Sequence, residues 1–109
     1  MSWDVGFELN RHKFEDSSWN YTHNCNAMMR EAGYDWVYHL GGQKIADTIP
    51  LFEEMLTKLK ADPIRFRAMN PSNGWGNYDE LVDLWENEIL PAARQIAKDI
   101  PEATWWELS

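Results

Sequence analysis

Hydrophobic residues recur at every second position in Trp3, Val5, Phe7 and Leu9, and at every third or fourth position through most of the remaining chain. The first spacing is that of a half-buried strand, the second that of amphipathic helices. A strand at the start of a helical chain needs a partner. The one other segment with strand preference is Ala103-Thr104-Trp105-Trp106-Glu107-Leu108 at the far end. The pattern therefore predicts an α+β, mainly α fold. Three to four helices pack on a small antiparallel ribbon that pairs the N- and C-terminal strands, because a two-stranded ribbon is marginal unless helices cover one face. The length, 109 residues, suits a single domain spanning 1–109.

The helices can be placed by their stripes and stops. Residues 10 to 18 are polar and aperiodic, as expected of a surface loop. Tyr21, Cys25, Met28, Met29 and Ala32 form a narrow stripe on a first helix that begins near Asn20, with Asn20 or Thr22 as its cap and Gly33 as its stop. After the aromatic stretch Tyr34 to Leu40, Gly41-Gly42 interrupts the chain. A second helix comes next, with the core face Ile45, Ile49, Phe52, Met55, Leu56 and Leu59. Pro50 cannot donate a backbone hydrogen bond, which favours a helix start near Asp47 or Thr48 with Pro50 in the first turn over a kink. Glu54 and Lys58 have the spacing of a helical ion pair. Asp62-Pro63 reads as a cap and first helical residue of a short helix through Ile64, Phe66 and Met69, which Asn70-Pro71 ends. A third long helix runs from about Tyr78 to Lys98 on the stripe Tyr78, Leu81, Val82, Trp85, Ile89, Ala93, Ile96 and Ile100, bent at Pro91.

Composition narrows the function classes. With 18 acidic against 10 basic side chains and a net charge of −8, the chain has no general attraction for phosphate, so direct nucleic-acid binding is not expected. The acidic residues interleave with Lys and Arg along the helices and read as a solvated face rather than as a nucleic-acid mimic. Cys25 is the only cysteine, which excludes an internal disulfide and a closed thiolate zinc site and fits a reducing compartment. Met1 to Asn10 does not form an apolar signal run, and no stretch approaches the about 18 apolar residues of a membrane span. A cytoplasmic protein without membrane partner, metal or cofactor is expected. His23 and Cys25 point to different helix faces, and His12 and His39 lack ligand partners at a metal-site spacing. Asp79, Asp83 and Glu86 share one side of the third helix, where exposed carboxylates outweigh a cation site or an acid–base pair.

Two segments are richer than simple connection requires. The first, Trp19 to Asn26, gathers Asn20, Thr22, His23 and Asn24 at a helix entry, where such side chains either cap the helix and tie down a loop or recognise a ligand. The second, Asn70 to Tyr78, sets Trp75 between Gly74 and Gly76. Its ring either plugs the helices or stands outward as a stacking platform beside Asn73 and Tyr78, and the shortness of the loop favours the plug. Asn73-Gly74 is a hairpin-type dipeptide, but the flanking prolines and missing alternation argue against a hairpin. The two segments are predicted to be neighbours. Either Asn24 latches the backbone of residues 73 to 76, or the amides and Trp75 form a polar pocket with one aromatic wall.

Asn20-Tyr21-Thr22-His23-Asn24, Met28 to Gly33, Asp62-Pro63 and Asn70-Pro71-Ser72-Asn73-Gly74-Trp75-Gly76-Asn77-Tyr78 together resemble a family of small uncharacterised bacteriophage and bacterial proteins. The resemblance covers most of the chain, and the segment from Tyr34 to Gly42 is less typical of it. The resemblance implies a phage or bacterial origin, with the host cytoplasm as the setting if phage-encoded, and implies no activity. The leading expectation is a non-catalytic accessory protein that binds a host protein, including inhibition of a host or defence system, through Asn20, Thr22, His23, Asn24, Asn73, Trp75 and Tyr78. The alternative is a small-molecule or nucleotide binder in which Trp75 or Tyr78 stacks on a planar ring. The third is an enzyme using His23, whose imidazole is suited to titrate near neutral pH.

Overall fold

The computed structural model describes residues 2–33 and 40–108. The alternating start forms strand β1 (Ser2–Leu9), and the aromatic end forms β3 (Thr104–Leu108), antiparallel to it from Asp4 opposite Leu108 to Glu8 opposite Thr104. The termini pair as the periodicity predicts. β1 is nevertheless the centre of a three-stranded sheet of order β2-β1-β3, because residues expected to be a loop belong to β2 (His12–Thr22). Asn10 and Arg11 hold left-handed φ angles of 50° and 69°, the backbone of a two-residue hairpin turn. Pairing runs from Ser2 opposite Thr22 to Gly6 opposite Ser18 and resumes at Glu8 opposite Lys13, so residues 14 to 17 stand against Phe7 alone. That bulge breaks the alternation of β2, which conceals a strand in a polar sequence. The other edge of β3 is covered by the segment entering the next helix: Gly42 and Ile45 donate to Trp105 and Ala103 carbonyls, and Trp105 donates to Gln43 O.

The strand β2 also overrides the expected helix start. It runs through Tyr21 and Thr22, a 3₁₀ turn occupies His23–Cys25, and α1 is Asn26–Glu31, ended by Gly33 at φ 98°. Thr22 is the cap, accepting the Asn24 N–H at 3.2 Å. Tyr34 to His39 lie outside the described residues. Helix α2 is Ile45–Ala61, so Pro50 sits in its interior rather than its first turn. The start is set by β3 and the residue before it: Thr104 draws Lys44 into a bridge, and the Ala103 carbonyl takes the Ile45 N–H. Asp62 caps α3 (Pro63–Arg67) through the Arg65 N–H, as its Asp-Pro start implies. Only Phe66 of that helix is buried, whereas Ile64 is 82% exposed.

Asn77 begins the last helical run by accepting the Glu80 N–H at 2.9 Å. Helix α4 (Tyr78–Asp83) continues through a π-helical segment, Leu84–Ile89, into α5 (Leu90–Asp99). Pro91, where a bend is expected, follows this wider turn at the start of α5, where a ring without an N–H is accommodated. Tyr78, Leu81, Trp85, Ile89 and Ala93 are buried, with Val82, Ile96 and Ile100 partly covered.

The core is aromatic where the helices meet the sheet. Phe52 of α2 stacks on Trp85 at 4.3 Å between centroids, and Trp105 meets both Phe52 and Phe7 edge to face. A polar residue the helical stripe does not predict lies among them. Thr48 is fully buried, accepts the Trp105 indole N–H at 2.9 Å and donates to Ile45 O at 2.7 Å. It meets the need of a buried tryptophan for an acceptor.

Candidate binding cleft

The end of β2 and the loop between α3 and α4 close on each other beside the start of α4. Asn24 Nδ2 donates to Asn73 Oδ1 and to Trp75 O, both at 3.3 Å. Asn73 Oδ1 also accepts the Trp75 N–H at 3.0 Å, a turn made by an asparagine side chain with its own backbone. Both backbone polar groups of Trp75 are thereby held. Its ring is not: 71% of the residue is exposed. The expected inward plug is corrected, because the ground beneath the loop is already filled. Gly76, at φ 85°, lies so close to Thr22, Cys25 and Tyr21 that an added Cβ would come within 2.5 Å of Thr22 Cγ2. With the backbone pressed onto that floor, the Trp75 side chain turns outward.

Between the two segments lies an open cleft of about 660 Å³ walled by Asn20, Thr22, Asn24, Asn73 and Trp75, with Tyr21, Gly76 and Glu80 completing it. Tyr21 anchors its deep end. The phenol oxygen accepts the Asn77 N–H at 3.2 Å and lies 3.2 Å from Glu80 Oε2, to which its hydrogen can be donated. Burial above all pushes the Tyr21 phenol well above its ordinary value, and the nearby Cys25 and Glu80 add to the rise while the Asn77 hydrogen bond opposes it. Burial likewise pushes up the Cys25 thiol beneath the loop, so it is a packing group rather than a ready thiolate.

Five of the seven residues singled out in the sequence, Asn20, Thr22, Asn24, Asn73 and Trp75, meet in this cleft. Two do not. Tyr78 is 4% exposed, stacks on Phe66, and donates to Leu59 O at 2.7 Å, closing a carbonyl in the last turn of α2. Its ring belongs to the core and is not a stacking platform. His23 lies outside the cleft wall, and its buried Nε2 has no hydrogen-bond partner among the described residues. Tyr21, Gly76 and Glu80 are the wall residues that sequence reasoning missed. The period of two shared by Trp19 and Tyr21 was a signal for the first, and the Asn77-to-Glu80 spacing of a capped helix start was a signal for the last.

The carboxylates expected on one side of the third helix serve other side chains. Asp79 receives two hydrogen bonds from Arg67, at 2.9 and 3.2 Å, which hold its carboxyl below the usual range; Glu86 pairs with Lys60, and Asp83 accepts from Asn87. Among the described residues no group of three or more His, Cys, Asp or Glu is placed to hold a metal, and no helix is long and apolar enough to cross a membrane. Comparison with family models, curated proteins and solved structures gives no match. What the cleft can bind is set by its own geometry.

Proposed function

We propose that the protein acts by non-catalytic binding, using Trp75 as the anchor for a segment of a protein partner and the adjoining cleft as the polar seat. One observation carries this reading: an indole ring is held out in solvent by a loop whose backbone is tied down at both polar groups of the same residue. Exposing so large an apolar surface costs stability, and fixing it removes the entropy that a partner would otherwise have to freeze. Rigid tryptophans beside satisfied polar groups are the usual centres of protein–protein contacts. A nucleotide fits the cleft less well, because among the described residues its wall contains a carboxylate and no cation to meet a phosphate. The resemblance to phage and bacterial proteins makes a protein of the bacterial host the proposed partner, with inhibition of a host or defence system as the proposed consequence.

Capture from bacterial lysate on immobilised protein tests this, with Trp75→Ala and Ile64→Ala side by side. Ile64 is the matched control, since it is a comparably exposed apolar residue away from the cleft. A protein retained by the wild type and by Ile64→Ala but lost from Trp75→Ala is the expected result. If nothing distinguishes the two variants, the anchor role of Trp75 is wrong.

A further inference from the structure

The internal hydrogen bonds of the cleft leave two amide oxygens and one carboxylate oxygen unspent. Asn20 Nδ2 gives one hydrogen to Asp4 Oδ1 at 2.7 Å, and Asn24 Nδ2 gives both of its hydrogens, to Asn73 and Trp75. Asn20 Oδ1, Asn24 Oδ1 and Glu80 Oε1 are the unspent acceptors, beside one N–H of Asn20, two of Asn73 and the Thr22 hydroxyl as donors, so the wall carries both kinds of neutral group and its charge is the Glu80 carboxylate. Glu80 Oε2 is held by the Tyr21 hydroxyl, which orients the carboxylate while leaving its charge uncompensated. Among the described residues no basic side chain lines the cleft, Asp4 is hydrogen-bonded to Asn20, and the chain as a whole carries a net charge of −8. Over this negatively charged wall stands Trp75. The matching occupant is positively charged, donates to the Glu80 carboxylate and the amide oxygens, and is planar.

Among protein side chains the arginine guanidinium brings these together: five N–H donors in a fixed plane, a permanent charge, and a surface that stacks on aromatic rings. We propose that the cleft takes an arginine side chain of the partner, stacked on Trp75 and hydrogen-bonded to Glu80 and the free amide oxygens. This rests on the binding reading above and specifies what the partner presents. Lysine offers the charge without the plane, and a neutral side chain leaves the Glu80 carboxylate unpaired in the contact. The negative field of the protein also speeds the approach of a basic segment, an effect that weakens with salt.

The test uses the whole ¹⁵N-labelled protein and three peptides, acetyl-Gly-Arg-Gly amide and its lysine and citrulline counterparts, citrulline being the neutral planar analogue. The Trp75 indole N–H signal is identified by its loss in Trp75→Phe. The arginine peptide is expected to move this signal and the Asn20 and Asn24 side-chain amide signals saturably, with a Kd of about 1 mM for so small a probe. Citrulline is expected to bind about tenfold more weakly, as is arginine to Glu80→Gln, since a charge-assisted bond is lost in both cases, and lysine about tenfold more weakly because it lacks the plane that stacks on Trp75. Citrulline binding is expected to be the same in wild type and Glu80→Gln. Equal binding of arginine and citrulline, equal binding of arginine and lysine, an arginine affinity untouched by Glu80→Gln, or no shift with any peptide at several millimolar each overturns the arginine assignment. The binding reading is judged separately by Trp75-dependent capture, which stands or falls whichever peptide wins.

Discussion

Gly76 is the point where the two segments of the cleft touch most closely, and replacing it by alanine tests the packing argument against simple backbone preference. Gly74, two residues earlier in the same loop, has φ 76° against 85° for Gly76, so a side chain at either position suffers the same left-handed penalty of about 1–2 kcal/mol. The surroundings differ. Nothing lies within 4 Å of a Cβ built on Gly74, whereas a Cβ on Gly76 would meet Thr22 Cγ2 at 2.5 Å and both Cys25 Sγ and Tyr21 Oη at 3.2 Å. Thr22 cannot simply rotate away, because its Oγ1 accepts the Asn24 N–H that begins the 3₁₀ turn. Forcing a methyl into such a place typically costs about 1–3 kcal/mol more. Gly76→Ala is thus expected to lose about 2–5 kcal/mol and Gly74→Ala about 1–2, part of each offset by the lower entropy of the unfolded chain. Urea unfolding at unchanged m separates them by roughly 1 M in midpoint, with m near 2 kcal/mol/M for a domain of this size. If Gly76→Ala is no less stable than Gly74→Ala, the loop is not pressed onto β2 and the account of why Trp75 faces outward fails.

Two further perturbations probe the groups behind the cleft and under the sheet. Thr48→Val keeps the shape of the side chain but removes the acceptor of the buried Trp105 indole, and should cost about 1–3 kcal/mol in the same urea assay; Thr48→Ser, which keeps the hydroxyl, should lose less. Because the folded Tyr21 phenol is raised above its unfolded value near 10, its neutral form contributes stability that is fully present below about pH 10 and is lost as pH rises through the folded value. Stability should fall above that pH by up to about 1.4 kcal/mol per unit from this group alone, and Tyr21→Phe should remove that part of the slope in unfolding curves taken between pH 9 and 11. An unchanged alkaline slope would show that the phenol is freely solvated.

The parts of the fold that were legible in the sequence are those where one periodicity dominates its neighbours. Trp3, Val5, Phe7 and Leu9 lie between a helical core and the solvent, so their alternation is undisturbed and their pairing with Thr104–Leu108 follows from it. β2 obeys the same rule but has a bulge at residues 14 to 17, and it is an outer strand whose Lys13, Glu15 and Asp16 are exposed. Both features weaken the pattern, and Arg11 in a left-handed turn gives less warning than the usual glycine. The early start of α2 was hidden for a different reason. Pro50 argues for a later start on local grounds, and a bridge from Lys44 to Thr104, at the far end of the chain, overrides it.

The meeting of the two unusual segments was legible because each was locally incomplete. An asparagine-rich strand end has amides to satisfy, and a Gly-Trp-Gly loop has backbone groups to satisfy, so Asn24 reaching Trp75 O answers both needs. The chemistry of the resulting cleft was not legible, because an asparagine is donor and acceptor alike until its neighbours choose for it. Asp4 takes one Asn20 amide hydrogen across the pleat, and Asn73 and the Trp75 carbonyl take both of Asn24's across the loop, which orients the two amides and leaves their oxygens unspent. Glu80 reads in sequence as one more acid on a solvated helix face. Its place at the start of α4, under the Tyr21 hydroxyl, is what turns a surface charge into part of a seat. The preference of the site is therefore a property of how its internal hydrogen bonds are spent, and any variant that removes one of them, such as Asp4→Ala freeing the Asn20 amide, changes what the cleft can bind without altering a wall residue.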